Sequence, residues 1–321
     1  MKEFTVTDND AGQRFDRFIV KTAQRLPGAL LQKYIRKKRI KLNGKGARGD
    51  VLLKAGDVLQ FYINDEFFEP LRERGAYLRV KNPRLTIVYE DANILLADKK
   101  PGVLCHSAEG TALNTLIDNI KAYLHQKGEW DPEQENSFAP SLCNRIDRNT
   151  GGIVIAAKNA EALRTMNEKI KNGEVEKIYL CAVIGVPKPS RASLRGYVVK
   201  DREKNQVTLS EEARPGAKLA VTEYRTLQTK NGLSLVECRI LTGRTHQIRA
   251  QMAANGTPIL GDRKYGGERC SKGQCAPFQA LYSHRVKFNF KIADAEGPLD
   301  YLAGASFDVE RVDFVEKYFG S

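Results

Sequence analysis

The longest apolar stretch in this chain lies near Ile178 to Val186, well short of the roughly 20 apolar residues that a membrane-spanning helix needs. The opening residues, MKEFTVTDND, include acids and no apolar run, so no secretory leader is expected. Also missing are the short signatures of several enzyme classes. There is no GxxxxGK[ST] loop, no GxGxxG between a strand and a helix, no HExxH and no GxSxG. Nucleotide hydrolysis, dinucleotide redox chemistry, zinc proteolysis and serine-esterase chemistry are therefore excluded. An S-adenosylmethionine-type methyltransferase would show a Gly-rich turn after its first strand, whereas Gly151-Gly152 here precedes a strand. Six cysteines are scattered over 321 residues, too few and too dispersed to staple a small fold, and are expected as reduced thiols of a cytoplasmic protein. Cys270 and Cys275 alone have metal-like spacing, and without a second pair they predict no metal site.

The most telling absence is of negative charge. From residue 17 to residue 49 there are eleven Lys or Arg and no Asp or Glu, in a chain whose 52 cations and 39 acids leave it at +13. Phe15, Phe18, Ile19 and Thr22 fall at helical spacing, Leu26-Pro27 interrupts, and Leu30, Leu31, Tyr34 and Ile35 begin a second amphipathic helix. Its polar side carries Lys33, Arg36, Lys37, Lys38 and Arg39. A short strand, Ile40 to Leu42, turns at Asn43-Gly44, and a further strand covers Val58 to Ile63. A solvated helix face is the bland reading of such a charge run. The absence of any compensating acid favours a phosphate-binding surface instead. Too few apolar residues remain beyond the small core for a lipid-binding face. No series of exposed aromatics suggests stacking on single-stranded bases, so the expected partner is structured RNA gripped by shape and backbone.

Hydrophobic content of 41% and charged content of 28% are ordinary globular values, which rules out disordered and fibrous classes. The segment from Asn64 to Arg84, with Pro70 and Pro83, reads as a linker or approach strand. Beyond Leu85, short β-rich runs dominate: Thr86–Tyr89, Ile94–Asp98, Ile153–Ala157, Ile178–Val183, Ala220–Leu227 and Leu233–Ile240. Three helices intervene. One carries Leu113, Leu116, Ile117, Ile120 and Leu124 on a single face, one follows an Asn159 cap, and one runs from Thr245 to Asn255 before Gly256. The expected class is α+β: a two-helix-plus-sheet RNA-binding module at 1–70, a linker at 71–85, and a mostly antiparallel mixed-sheet domain at 86–321.

Three segments place polar and turn residues within apolar β-rich surroundings. Asn144-Arg-Ile-Asp-Arg-Asn-Thr-Gly-Gly152 sets Asp147 between Arg145 and Arg148, which suits it to act as a nucleophile or proton acceptor rather than an acid; its bland reading is a salt-bridged turn. Glu176 to Val183 places Tyr179 on a strand, by itself an ordinary core position. Thr242 to Arg249 carries Arg244, His246 and Arg249 near the start of a helix, with Thr245 as its cap, a pattern suited to anions.

Taken together and in order, these segments resemble RluA-type pseudouridine synthases. NRIDRNTGG is similar to HRLDxxTSG, EKIYLCAVIG to KxYLAxVxG, and GRTHQIRAQMAANGTPILGDRKYG to GRTHQIRVHLAxxGHPIxGDxxYG. DKKPGVLCHS resembles the start of the family's catalytic domain and QALYSHRVKF its end, so the likeness covers about residues 86 to 315. Residues 14 to 63 resemble the small RNA-binding module that a ribosomal small-subunit protein shares with many RNA-modifying enzymes. The chain departs from the pattern at Asn144, where the family usually has His, and at Gly151, where it has Ser. The resemblance implies isomerisation of uridine in RNA, ribosomal RNA before transfer RNA, by a monomer without metal or organic cofactor. It implies that Asp147 acts on the ribose, as nucleophile at the anomeric carbon or base at its neighbour. Tyr179 would lie against the base, Arg249 would pair with Asp147, and Arg145 would hold the RNA open, with Arg148, Arg244 and His246 as further RNA contacts. A non-catalytic RNA-binding regulator that retains the fold is the alternative.

Overall fold

The computed structural model describes residues 1–69, 76–107, 114–201, 206–267, 270–271, 274–291 and 297–320. It divides into two compact units. The first comprises Met1–Arg84, Ala108–Ser141 and Ala157–Arg164, the second Leu85–Ser107, Leu142–Ala156 and Thr165–Ser321.

In the first unit, strand β1 (Lys2–Thr5) precedes helices α1 (Phe15–Thr22) and α2 (Gly28–Arg36), followed by β2 (Ile40–Leu42) and β3 (Val58–Phe61). The strands form an antiparallel sheet in the order β1-β3-β2. Phe15, Phe18, Ile19 and Thr22 are all buried, as are Leu31 and Ile35, because the 3.6-residue period puts them on the faces turned toward that sheet. The polar-rich KEFT of β1 has no pattern of its own. Phe4 secures it, its ring meeting those of Phe18, Phe61 and Phe68 edge-on or stacked at 5.4–6.1 Å between centroids.

Helix α2 is shorter than its charge pattern implied. It stops at Arg36, and Lys38 adopts a left-handed backbone (φ 54°), so that the N–H groups of Lys38 and Arg39 cap the carbonyls of Ile35 and Tyr34 at 3.0 and 2.9 Å. Lys33 and Arg36 are thus helical and Lys37, Lys38 and Arg39 sit in the turn that follows, all five exposed. The segment after β3 forms short 3₁₀ turns at Asp65–Phe68 and Ala76–Arg79, with no strand among its described residues. Helix α3 (Leu116–Gln126) begins at a capping box between Thr115 and Asp118; Leu113, expected on its apolar face, lies outside the described residues. Fully buried Asp10 accepts hydrogen bonds from Thr7, from Asn136 at 2.7 Å and from Ser137 at 2.5 Å, which ties the N-terminal segment to residues 131–137 of the same unit.

The second unit is built on one large sheet. Its strands are β4 (Ile87–Glu90), β5 (Ile94–Lys99), β6 (Ser141–Leu142), β7 (Gly151–Ala157), β8 (Val175–Ile184), β9 (Arg191–Asp201), β10 (Gln206–Ser210), β11 (Lys218–Lys230), β12 (Leu233–Ile240), β15 (Leu281–Phe288) and β16 (Ser306–Asp308), while β13 (Cys270–Ser271) and β14 (Gln274–Cys275) form a separate small pair. The path runs β10-β9-β11-β12-β8-β15-β7-β5-β4, with β6 beside β7 and β16 beside β15. Neighbours from β10 to β15 are antiparallel, and β7 joins β15 in parallel. Helix α4 (Ala160–Lys171) starts where Asn159 Oδ1 accepts the Ala162 N–H at 2.8 Å. Helix α5 (Gln247–Ala254) and helix α6 (Asp313–Phe319) complete the chain, and Ile248, Met252, Tyr318 and Phe319 join the core formed by β8, β12 and β15. The architecture is α+β with a mostly antiparallel sheet.

The expectation of six reduced thiols needs correction. Cys105, Cys143, Cys181 and Cys238 form no disulfide, but Cys275 is disulfide-bonded. It lies opposite Cys270 in the β13–β14 register. No helix among the described residues is long and apolar enough to cross a membrane.

Candidate active site

Asp147 sits in the loop that delivers the chain into β7. One Asp147 carboxylate oxygen accepts a hydrogen bond from Arg249 Nη1 at 2.8 Å, while Arg249 Nε and Nη2 grip both oxygens of Asp262 at 2.7 and 2.8 Å. The guanidinium is thus committed to two carboxylates through its fork of planar donors. Side-chain exposure falls from 26% at Asp147 to 6% at Arg249 and 1% at Asp262, so Asp147 is the member of the trio that a ligand reaches. Burial works against the charge on Arg249, but hydrogen bonds and attraction from Asp262 and Asp147 outweigh it and raise the pKa of the guanidinium above its ordinary value.

The loop is held mainly through its backbone. Lys99 Nζ, on a side chain that is almost wholly buried, donates to the carbonyls of Lys100, Val103 and Arg148 at 3.2, 2.9 and 3.0 Å. The Gly102 N–H meets the Arg148 carbonyl, and Arg148 Nε returns to the Gly102 carbonyl. With no carboxylate in direct contact, burial dominates at Lys99 and pulls its pKa down to about 8. Buried Cys105 donates through Sγ to the Ile146 carbonyl. Asn144 Oδ1 accepts the Ile155 N–H at 2.8 Å, so the residue found in place of histidine ties the loop to β7. Gly151 has a steric reason as well. A Cβ there would lie 2.4 Å from the ring of Tyr282, which is buried and bonded to Asp98.

Tyr179, on β8, is buried and stands opposite Ser283 in the β8–β15 register. Burial pushes the phenol up to about 12, so it stays protonated at any physiological pH. Ser283 in turn donates to the Ile153 carbonyl. The parallel contact of Ser283 with Gly152 therefore brings β8, β15 and β7 together at the site.

The third segment folds differently from its reading as an open anion site. Arg249 and His246 come to Asp147, with His246 Nε2 3.8 Å from the carboxylate. Arg244 is exposed and donates through Nε to the Leu219 carbonyl. The helix cap is His246 rather than Thr245, with a left-handed backbone and no capping bond from its side chain. The anions that Arg249 meets are the protein's own. Arg145 and Arg148 are exposed at the loop. Asp262, Tyr265, Lys99 and Ser283 were not singled out from sequence. Asp262 and Tyr265 lie in GDRKYG and Lys99 in DKKPG, within the recognised motifs, but their part in the site depends on contacts across the fold.

Residues 93–254 match the model of the family described as RNA pseudouridylate synthase. The chain belongs to that family. An RNA pseudouridine synthase of Mycoplasma capricolum is 32% identical over 94% of this chain and 95% of its own length. Ribosomal large subunit pseudouridine synthase C of Vibrio vulnificus is 27% identical, covering 96% and 94%. The solved structure of human RNA pseudouridylate synthase domain containing 4 superposes with a TM-score of 0.55 at 20% identity, covering 74% of this chain and 93% of that one, and so shares the fold. The protein is an RNA pseudouridine synthase, an isomerase, and nothing in these relationships favours a non-catalytic regulator.

Proposed function

We propose that this pseudouridine synthase acts on large-subunit ribosomal RNA, as a cytoplasmic monomer that uses neither metal nor organic cofactor. Asp147 acts on the ribose of the target uridine, as nucleophile at the anomeric carbon or base at the neighbouring one. The bond from the anomeric carbon to N1 breaks, the uracil turns, and a bond forms from the anomeric carbon to C5. The proton lost from C5 is balanced by the one gained at N1. Tyr179 lies against the base and assists the proton transfer at C5, and Arg249 positions Asp147. Arg145, Arg148, Arg244 and His246 contact the RNA near the flipped nucleotide, whose extrusion costs about a few kcal/mol that phosphate contacts and pocket stacking offset. Residues 1–70, with Lys33, Arg36, Lys37, Lys38 and Arg39 exposed, serve as the RNA-binding module, and 71–85 link it to the catalytic domain at 86–321.

The observation that carries this reading is the partly exposed carboxylate of Asp147, held by a buried arginine whose Nε and Nη2 are bonded to Asp262. The relatives bearing ribosomal large-subunit names support the choice of substrate. Site-resolved pseudouridine mapping of total RNA from cells with and without the gene tests it. Loss of one or more sites in large-subunit RNA is expected, whereas losses confined to transfer RNA would overturn the substrate. The purified Asp147→Asn protein, folded and RNA-bound, is expected to restore none of these sites.

A further inference from the structure

We infer that His246 is a directed hydrogen-bond donor of this active site, held by Tyr265 as the tautomer with its proton on Nε2, and that it offers this N–H to an oxygen of the target ribose beside Asp147. The inference rests on Asp147 being the residue that acts on the ribose.

The geometry assigns the tautomer from both sides of the ring. His246 Nδ1 is 2.8 Å from the Tyr265 hydroxyl, which already accepts the Val207 N–H at 2.9 Å. The phenol has one hydrogen to give, and His246 Nδ1 is its acceptor among the described residues. Were Nδ1 protonated instead, the phenol oxygen would receive two N–H groups and its own hydrogen would have no such acceptor. The bare lone pair of Nε2 would also face the Asp147 carboxylate at 3.8 Å. With Nε2 protonated, both conflicts vanish. Nε2 then lies 3.8 Å from the Asp147 oxygen, beyond ordinary hydrogen-bond distance, and Asp147 already has Arg249 as partner. That leaves the donor for a ligand atom that approaches the pair from one side.

The backbone supports the same conclusion. His246 holds a left-handed conformation, φ 52° and ψ 23°, at the helix cap without using its side chain to cap. Such a backbone is costly for a non-glycine residue, and here it accompanies a side chain bound to Tyr265 instead of to the helix. Burial, together with Arg249 and Lys264, lowers the pKa of His246 against the opposing pull of Asp147 and Asp262, which keeps the ring neutral near pH 8. Tyr265 is a positioning residue. Its hydroxyl bonds to β10 and to the entry of α5, and its ring lies 5.2 Å from the Arg249 guanidinium.

Two measurements test this. Long-range ¹H–¹⁵N imidazole spectra of the full chain at pH 8, with His246 assigned by His246→Gln, are expected to show the neutral Nε2–H form, and Tyr265→Phe is expected to shift it toward a mixture. A wild-type ring that is charged or protonated on Nδ1 would overturn the assignment. In parallel, pseudouridine formation is followed on ribosomal RNA purified from a strain lacking the gene. The glutamine amide nitrogen reaches where Nε2 lies, whereas asparagine reaches only as far as Nδ1. His246→Gln should therefore turn over about tenfold faster than His246→Asn, the worth of one positioned hydrogen bond; equal rates, or the reverse order, would overturn the donor role. The spectra report on the tautomer whether or not the RNA is turned over. Persistent turnover by Asp147→Asn would count against the catalytic reading instead.

Discussion

Arg249 is the residue on which two different properties depend. Replacing it with alanine strands Asp262, a carboxylate with 1% side-chain exposure, and loss of one partner from a buried ion pair costs about 3–5 kcal/mol. Arg249→Ala is therefore expected to unfold at markedly lower urea, and its inactivity alone would say little about chemistry. Arg249→Lys is more informative, because a point cation satisfies one carboxylate and cannot fork between two. That protein should stay folded, with kcat reduced at least about tenfold and KM little changed. Wild-type kcat in Arg249→Lys would falsify the dependence of Asp147 on a two-carboxylate clamp. Lys99 gives a prediction in pH. Its folded pKa of about 8 lies below the ordinary 10.5, so between those values the unfolded chain holds a proton that the folded chain lacks. Its contribution to stability therefore rises with pH over that window, by up to about 3 kcal/mol. Urea midpoints measured at pH 8 and pH 10 should show a more positive change in wild type than in Lys99→Met.

Among the elements, the parallel contact between β7 and β15 admits the least change. Gly152 has φ 113°, and a Cβ would lie 2.2 Å from the Ser283 carbonyl oxygen, a backbone atom that cannot swing aside. Gly152→Ala should cost of order 3 kcal/mol or more, while Gly256→Ala, also at positive φ but with nothing within 4 Å, should cost about 1–2 kcal/mol. Thermal unfolding of the two proteins compares them directly. Elements with a strong period of their own were legible in the sequence, including α1, α2, α3, β5, β7, β8 and β12. The β9–β10 hairpin and β1 were not. RASLRGYVVKD has charged residues at both ends and, of its apolar side chains, only Val198 is buried, and KEFT is fixed by aromatic contacts that no local pattern announces. The site was legible as far as Asp147, Tyr179 and Arg249, each within a recognised motif. Asp262, 13 residues after Arg249, and Ser283, over 100 residues from the Tyr179 it meets, required the fold. The cap at His246 was misplaced because a left-handed histidine ignores the capping preference that favoured Thr245.

For the whole molecule, the test of the basic module must respect how the first unit is assembled. Deleting residues 1–70 would remove Asp10 from Asn136 and Ser137 and leave residues 131–137 without those partners. Substituting glutamine for Lys33, Arg36, Lys37, Lys38 and Arg39 in the full chain removes exposed charge and, with it, the Arg39 guanidinium over the Tyr34 ring. The substituted protein should unfold as wild type does but bind ribosomal RNA more weakly and with a flatter salt dependence, each lost phosphate contact taking about 0.7–0.9 from the logarithmic slope. An unchanged slope would show those cations to be merely solvated.

The grip of Lys99 on its loop has a consequence for how such enzymes diversify. The oxygens it holds belong to the main chain, and every amino acid supplies one. Of these oxygens only that of Arg148 lies in the Asp147 loop, so this hold survives whatever side chain stands at 148, and the exposed position 145 is open to change under selection for a new RNA while the carboxylate at 147 keeps its place. A main-chain anchor beside exposed side chains would let a single scaffold take up new addresses in RNA without reinventing its chemistry.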